Sequence, residues 1–191
     1  MEMNDAGLSN KNEITINSKV KKVYFDSIRA IFLYHNVENY SFTESGKFNH
    51  NIDKLPKVET TLKEKILTSV NQESWSDYCD IYYFSINKIA EIEYGIFLIK
   101  TEFNGLTYDF VIIQFNDEGS ILFFNYLASW SEAVECIFYT NAQVENKKIK
   151  KITVKKCYDF ELEERKTLDS LEVHIDITPK GFKETRKVRL M

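Results

Sequence analysis

Residues 94–115 read YGIFLIKTEFNGLTYDFVIIQF, two apolar runs on either side of Asn104-Gly105. An Asn-Gly pair between such runs is the strongest short-range hairpin signal, because both residues enter the left-handed conformation that a tight turn between twisted strands needs. Working outward, the strand Leu106–Phe115 ends at Asn116-Asp117-Glu118-Gly119, a second turn with Gly119 suited to positive φ. Ile121–Trp130 and Glu135–Thr140 read as further strands, and Asn141–Asn146 as a turn. Lys147–Phe160 alternates in part, Glu161–Asp169 is a charged connection, and Leu171–Thr178 and Phe182–Leu190 flank the turn Pro179-Lys180-Gly181. Upstream, Asp80–Ile86 and Lys88–Tyr94 also carry the period of two. Short connections make sequential neighbours antiparallel, so the C-terminal part is predicted to be a meander.

The pattern before Tyr78 is different. Val58, Leu62, Ile66 and Val70 step by four after Pro56, which predicts an amphipathic helix. Val20, Tyr24, Ile28, Ile31 and Phe32 recur at three and four behind Ser18, predicting an earlier helix that closes near His35 and Asn36. Residues 36–56 are polar and read as a loop with a short strand hidden at Tyr40–Phe42. The expected fold is α+β: N-terminal helices packed on a curled antiparallel β-meander of about seven or eight strands. An all-β sandwich is the alternative. One globular domain is expected, with a flexible polar arm at 1–17, a helical part at 18–77 and the meander at 78–191.

Composition excludes several classes. Among 191 residues are 14 Phe, 11 Tyr and 2 Trp but only 6 Gly and 2 Pro, too little Gly and Pro for a collagen-like or low-complexity chain. This much apolar material can offset the ordering entropy of a fold. The net charge of −4 is uneven. From Lys147 onward 13 Lys/Arg face 8 Asp/Glu, a balance of +5, so residues 1–146 carry −9. An acidic majority lacks the basic footprint of a general nucleic-acid binder. No stretch approaches the length of a membrane span, and MEMNDAGLSNKNE lacks the pattern of a signal peptide. These features predict a soluble cytoplasmic protein; a periplasmic or lipid-anchored one is expected only if a leading signal has been removed.

Catalytic patterns are scarce. Cys79, Cys136 and Cys157 are widely spaced, and three reduced, mostly buried thiols are the expected state, with one bridge as the alternative for an exported protein. Cys157 follows Lys156, which could activate a thiolate. His174 and Asp176 lie two apart on one strand face and could work as an acid–base pair, although a solvated polar face is the ordinary reading. His35 and His50 have no metal-ligand spacing to a partner, so no metal or cofactor is expected. The carboxylate pairs Glu91/Glu93, Asp117/Glu118, Glu132/Glu135 and Glu161/Glu163 are ordinary edge protection unless two face each other across a cleft.

What remains is binding. Trp75 stands in the polar stretch 71–77, and Trp130 closes a strand before Ser131-Glu132. Aromatic anchors in a polar frame are the means by which binding surfaces hold partners. The sequence therefore predicts a non-enzymatic protein-binding module, of the immunity-protein or inhibitor kind that blocks a toxin or effector. Its predicted partner-binding residues are Trp75, Glu91, Glu93, Asp117, Glu118, Trp130 and Glu132. Richness in Lys, Ile, Asn, Phe and Tyr fits a low-GC, bacterial genome. The alternative is an exported or lipoprotein-derived β-sheet protein that holds a ligand between sheet and helix.

Overall fold

The structure, a computed structural model, describes residues 28–190 except Ala90, Asn104 and Asp117. Ten strands make one sheet: β1 (Tyr34–His35), β2 (Asn39–Tyr40), β3 (Cys79–Ile89), β4 (Ile92–Glu102), β5 (Leu106–Phe115), β6 (Ile121–Glu132), β7 (Cys136–Glu145), β8 (Lys148–Asp159), β9 (Glu164–Thr178) and β10 (Gly181–Arg189). The order is β1-β3-β4-β5-β6-β7-β8-β9-β10, with β2 added on β7. All described pairings are antiparallel except β1 with β3, so the sheet is mixed, and it does not close. One α-helix, α1 (Thr60–Ser69), and a 3-10 turn at Glu73–Tyr78 complete the described elements.

This corrects the α+β expectation. The molecule is mostly β, and N-terminal helices do not cover a smaller meander. His35 and Asn36 do not end a helix: Tyr34–His35 is a strand lying parallel to β3, and Asn36 turns there with φ 50. Ile28 and Arg29 are helical, but Ala30 and Ile31 turn and Phe32, predicted to continue the helix, is not helical; the earlier part predicted from Ser18, like the polar arm, lies outside the described residues. The connection predicted at 161–169 is largely β9, and β7 runs on to Glu145 where a turn was expected. Both segments are polar because their strands are solvated, which hides them from an apolar pattern.

Helix α1 follows from its sequence. Leu62, Ile66 and Leu67 are buried, with Val58 and Val70 extending the same stripe. The helix stops at Asn71, whose φ of 57 is the left-handed value that Asn tolerates. The Gln72 N–H then bonds the Leu67 carbonyl at 2.8 Å and the Asn71 N–H bonds that of Thr68 at 3.2 Å, which satisfies carbonyls the helix leaves open.

Strands β3–β5 are buried on both faces over most of their length. Cys79, Ile81, Tyr83, Phe97, Ile99, Val111 and Ile113 meet α1 and residues 28–32. The alternate positions, among them Phe84, Ile96, Leu98, Phe110 and Ile112, meet a second core. That core is filled by the segment read as a polar loop. Tyr40, Phe42 and Phe48 enter it, and Phe42 and Phe48 face each other across a bridge. Phe110 sits at the centre, its ring stacked 4.3 Å from Phe48 and edge-on 4.7 Å from Phe84.

The sheet bends at β6. Phe110 pairs with Ala128 but Val111 with Tyr126, so Leu127 is an extra residue in β6. Beyond this bulge β6 leaves β7, and β2 takes its place beside Gln143 and Ala142. The β8 residue Lys151 spans the opening, donating to Asn125 Oδ1 at 3.0 Å and the Tyr126 carbonyl at 2.9 Å. Burial pushes the Lys151 ammonium below its ordinary range.

Candidate functional site

Antiparallel hairpins sort the turns into two rims. The β3–β4, β5–β6, β7–β8 and β9–β10 turns lie at one end of the sheet, the first rim. The β4–β5, β6–β7 and β8–β9 turns lie at the other, the second rim. The predicted binding residues divide between them. Glu91, Glu93 and Glu118 belong to the first rim and Glu132 to the second. Glu91 pairs with Lys88 at 2.7 Å, Glu93 with Arg29, and Glu132 with Arg165 at 2.8 Å. Trp130 is buried rather than presented. Its ring lies against Gly46, and Nε1–H donates to the Glu44 carbonyl at 3.1 Å. A Cβ at Gly46 would fall 2.9 Å from that ring, at a φ of 74 that favours glycine. Trp75 stands in the 3-10 turn, and Asp117 lies outside the described residues.

The catalytic alternatives are also rearranged. His174 Nε2 bonds Glu172 Oε1 at 2.7 Å, and Lys150 holds Glu172 Oε2 at 2.9 Å. Lys150 first, then His174, draws the Glu172 carboxyl down to about 2. Glu172, not Asp176, is thus the partner of His174. Cys157 is no free nucleophile: it lies directly across from Cys136 and is bonded to it. This corrects the expectation of three reduced thiols. Cys79 stays free and buried, 3.1 Å from Thr101 Oγ1. Ring contacts from Tyr34, Phe48 and Phe84 surround His50, and burial lowers its affinity for a proton. Among the described residues no group of three or more His, Cys, Asp or Glu is placed to hold a metal ion. No described helix is long and apolar enough to cross a membrane.

Exposed apolar side chains gather at the second rim. Phe160 is 70 % exposed, Leu162 53 % and Val134 fully open, with Tyr158 beside them. Their arrangement is built into the chain. Asp159 Oδ1 accepts the N–H groups of Glu161 at 3.0 Å and Leu162 at 3.3 Å, a local turn that folds the hairpin tip. Lys166 above all, with those two N–H groups, holds the Asp159 carboxyl below its ordinary value. Tyr158 and Phe160 meet edge to face at 5.1 Å. The Tyr158 N–H bonds the Glu135 carbonyl at 2.8 Å, and the Cys136–Cys157 bond lies next to it. The β6–β7 turn and the β8–β9 tip therefore form one surface. Glu135, Glu161, Glu163 and Glu164 make it acidic. The sequence carried a signal for it: in YDFELEE, residues 158–164, apolar and acidic residues alternate.

Asp109 was also missed. It lies on the face of β5 that carries Val111, between Ile99 of β4 and Ser129 of β6. Burial without a compensating partner raises its carboxyl to about 7. The folded state therefore keeps this proton while the unfolded chain releases it near its ordinary value. Stability is lost as pH rises from about 4 to about 7 and is flat above. Asp109→Asn is expected to stabilise the protein by about 2 kcal/mol at pH 8, half the full linkage value because the group is partly solvated, and hardly at all at about pH 4. Urea unfolding of both proteins at the two pH values checks this.

No protein-family model, curated protein or solved structure matches this chain.

Proposed function

We propose that this chain is a non-enzymatic protein-binding module whose second rim docks a cationic protein, as an inhibitor or immunity protein would. The observation that carries the reading is the exposure of Phe160 beside Leu162 and Val134 on a tip held by backbone bonds and a disulfide. Large apolar residues on an ordered tip keep their full hydration cost unless a partner covers them. The acids around them select that partner. A basic surface would be steered in and desolvated against apolar anchors, whereas a second copy or an anionic lipid surface would meet like charge.

The variant Phe160→Ser/Leu162→Ser removes two exposed groups and should keep the wild-type unfolding midpoint. It is expected to lose co-purification of a basic partner that wild type retains at about 150 mM salt. The wild-type complex should weaken severalfold as salt rises, as steered association requires. Equal retention by the variant would refute the reading.

The disulfide supports a second reading, export to an oxidising compartment, where such bonds persist. Thiol trapping in source cells tests it: an oxidised Cys136–Cys157 pair supports export, and a fully alkylated pair opposes it.

A further inference from the structure

At the first rim β6 and β10 approach each other without pairing, and the sheet stays open between them. Side chains fill the seam. A Cβ at Gly181 of β10 would fall 2.7 Å from the Phe123 ring of β6, at a φ of 105 that favours glycine. The neighbouring Phe182 lies against Tyr94 of β4, ring centroids 6.0 Å apart. Strand register joins these residues in one row. Gln114 of β5 is opposite Phe123. Tyr94 is the next neighbour of Gln114 on β4, because Gly95 pairs with Ile113. Gln114 and Tyr94 therefore share the sheet face that carries Phe110 and Ile112.

Two polar atoms of this row are unmet. Tyr94 is 1 % exposed, and its Oη has no hydrogen-bond partner among the described residues. Gln114 Oε1 is buried and accepts no hydrogen bond from them either. One can donate and the other accept, they stand on adjoining strands, and they do not bond each other. Asn87, opposite Tyr94 on β3, shows the contrast: its amide is engaged by Val37 at 2.5 and 3.2 Å and by Ser85 at 3.0 Å. Leaving a buried donor and a buried acceptor both unmet is costly. Phe182, which covers Tyr94, also lines a cavity of 500 Å³ together with Pro179, Lys180, Gly181 and Lys183. That volume suits a small molecule, and the wall is mainly apolar with the two lysines exposed. Half-buried Phe182 thus joins the cavity to the unmet pair.

We infer that the β6–β10 seam binds a small apolar molecule with a neutral hydroxyl or primary amide head group. The head accepts from Tyr94 Oη–H and donates to Gln114 Oε1, and the apolar tail runs past Phe182 and Phe123 into the cavity. A neutral head is what this pair selects. A carboxylate has no proton for Gln114 Oε1, and an ammonium has no lone pair for Tyr94. Closure of the seam by side-chain packing, with no ladder to break, lets Phe182 turn aside to admit the head. This site is at the rim opposite the Phe160 tip and does not rest on the docking reading.

The test uses the full chain with isotopically labelled Tyr and Gln, titrated with n-octanol and octanamide and followed by NMR. Heptyl methyl ether, which has the size of octanol but no donor, and octanoate serve as comparisons. Octanol and octanamide should shift the Tyr94 ring and Gln114 amide signals and bind at least about tenfold more tightly than the ether, as one buried hydrogen bond requires. Tyr94→Phe keeps the ring and removes a hydroxyl that has no partner, so it should hold the wild-type unfolding midpoint while octanol binding weakens about tenfold. Phe160→Ser/Leu162→Ser should bind octanol as wild type does. Unmoved Tyr94 and Gln114 signals at saturating octanol and octanamide would mean that water alone occupies the pair and would overturn the inference. So would equal binding of the ether, tighter binding of octanoate than of octanol, or wild-type octanol affinity in Tyr94→Phe.

Discussion

Phe110→Ala is expected to lower stability by about 4 kcal/mol, the upper part of the range for truncating a fully buried aromatic. Phe110 has no solvent exposure, and its ring touches those of Phe48, Phe84, Phe42 and Tyr40, with centroids at 4.3, 4.7, 5.8 and 5.9 Å. These neighbours come from two places in the chain: β3 supplies Phe84, and residues 40–48 supply the rest. The cavity left by alanine would lie between the regular sheet and the segment that carries Tyr40, Phe42 and Phe48, so the penalty falls on the docking of residues 36–56. Phe110→Leu keeps most of the volume and should cost about 1.5 kcal/mol or less. Chemical denaturation with an unchanged m-value measures both. A Phe110→Ala loss below about 1 kcal/mol would mean that the aromatic plug does not hold the second core.

The second large effect concerns the disulfide. Cys136 and Cys157 are 21 residues apart in sequence and face each other at the open end of the β7–β8 hairpin. Closing a loop of that length removes about 3 kcal/mol of unfolded-chain entropy. Cys136→Ser/Cys157→Ser should lower stability by about that amount, and reductant should shift wild type to the same midpoint while leaving the variant unmoved. The loss has a local consequence too. Cys136 begins β7 directly after the turn bearing Val134, and Cys157 precedes Tyr158, so the bond secures the two halves of the second rim to one another. Hydrogen exchange at Tyr158, whose N–H bonds Glu135, should quicken in the variant before exchange in β3–β6 does.

The hairpins around Asn104-Gly105 and Asn116–Gly119 were legible because turn chemistry and apolar alternation coincide there. The helix after Pro56 was legible from its step of four. Three things were not. Tyr40, Phe42 and Phe48 are aromatics scattered in a polar stretch, and only long-range contact with Phe110 makes them core. Strand β9 begins in a run of charged residues because its flank is solvated, so periodicity had nothing to register. Trp130 looked like an anchor for a partner, but its ring is claimed by the close approach of Gly46 and its N–H by the Glu44 carbonyl, 86 residues away in the chain. Of the predicted binding residues, Glu132 lies on the surface favoured here, whereas Glu91, Glu93 and Glu118 stand at the opposite rim. Which turns share a rim depends on the number of strands between them, and a strand count from sequence has to be right before acidic residues can be grouped in space.

A partner docked on the second rim would contact Phe160 first, the most exposed aromatic side chain of that rim. A photoreactive amino acid at position 160, compared with one at Leu122, an exposed apolar site next to the first rim, tests it most directly. Irradiated in source cells, position 160 is predicted to give one dominant adduct with a basic protein, abolished by Leu162→Ser and by high salt, and position 122 none. No adduct at 160, or the same adducts at both positions, would contradict it.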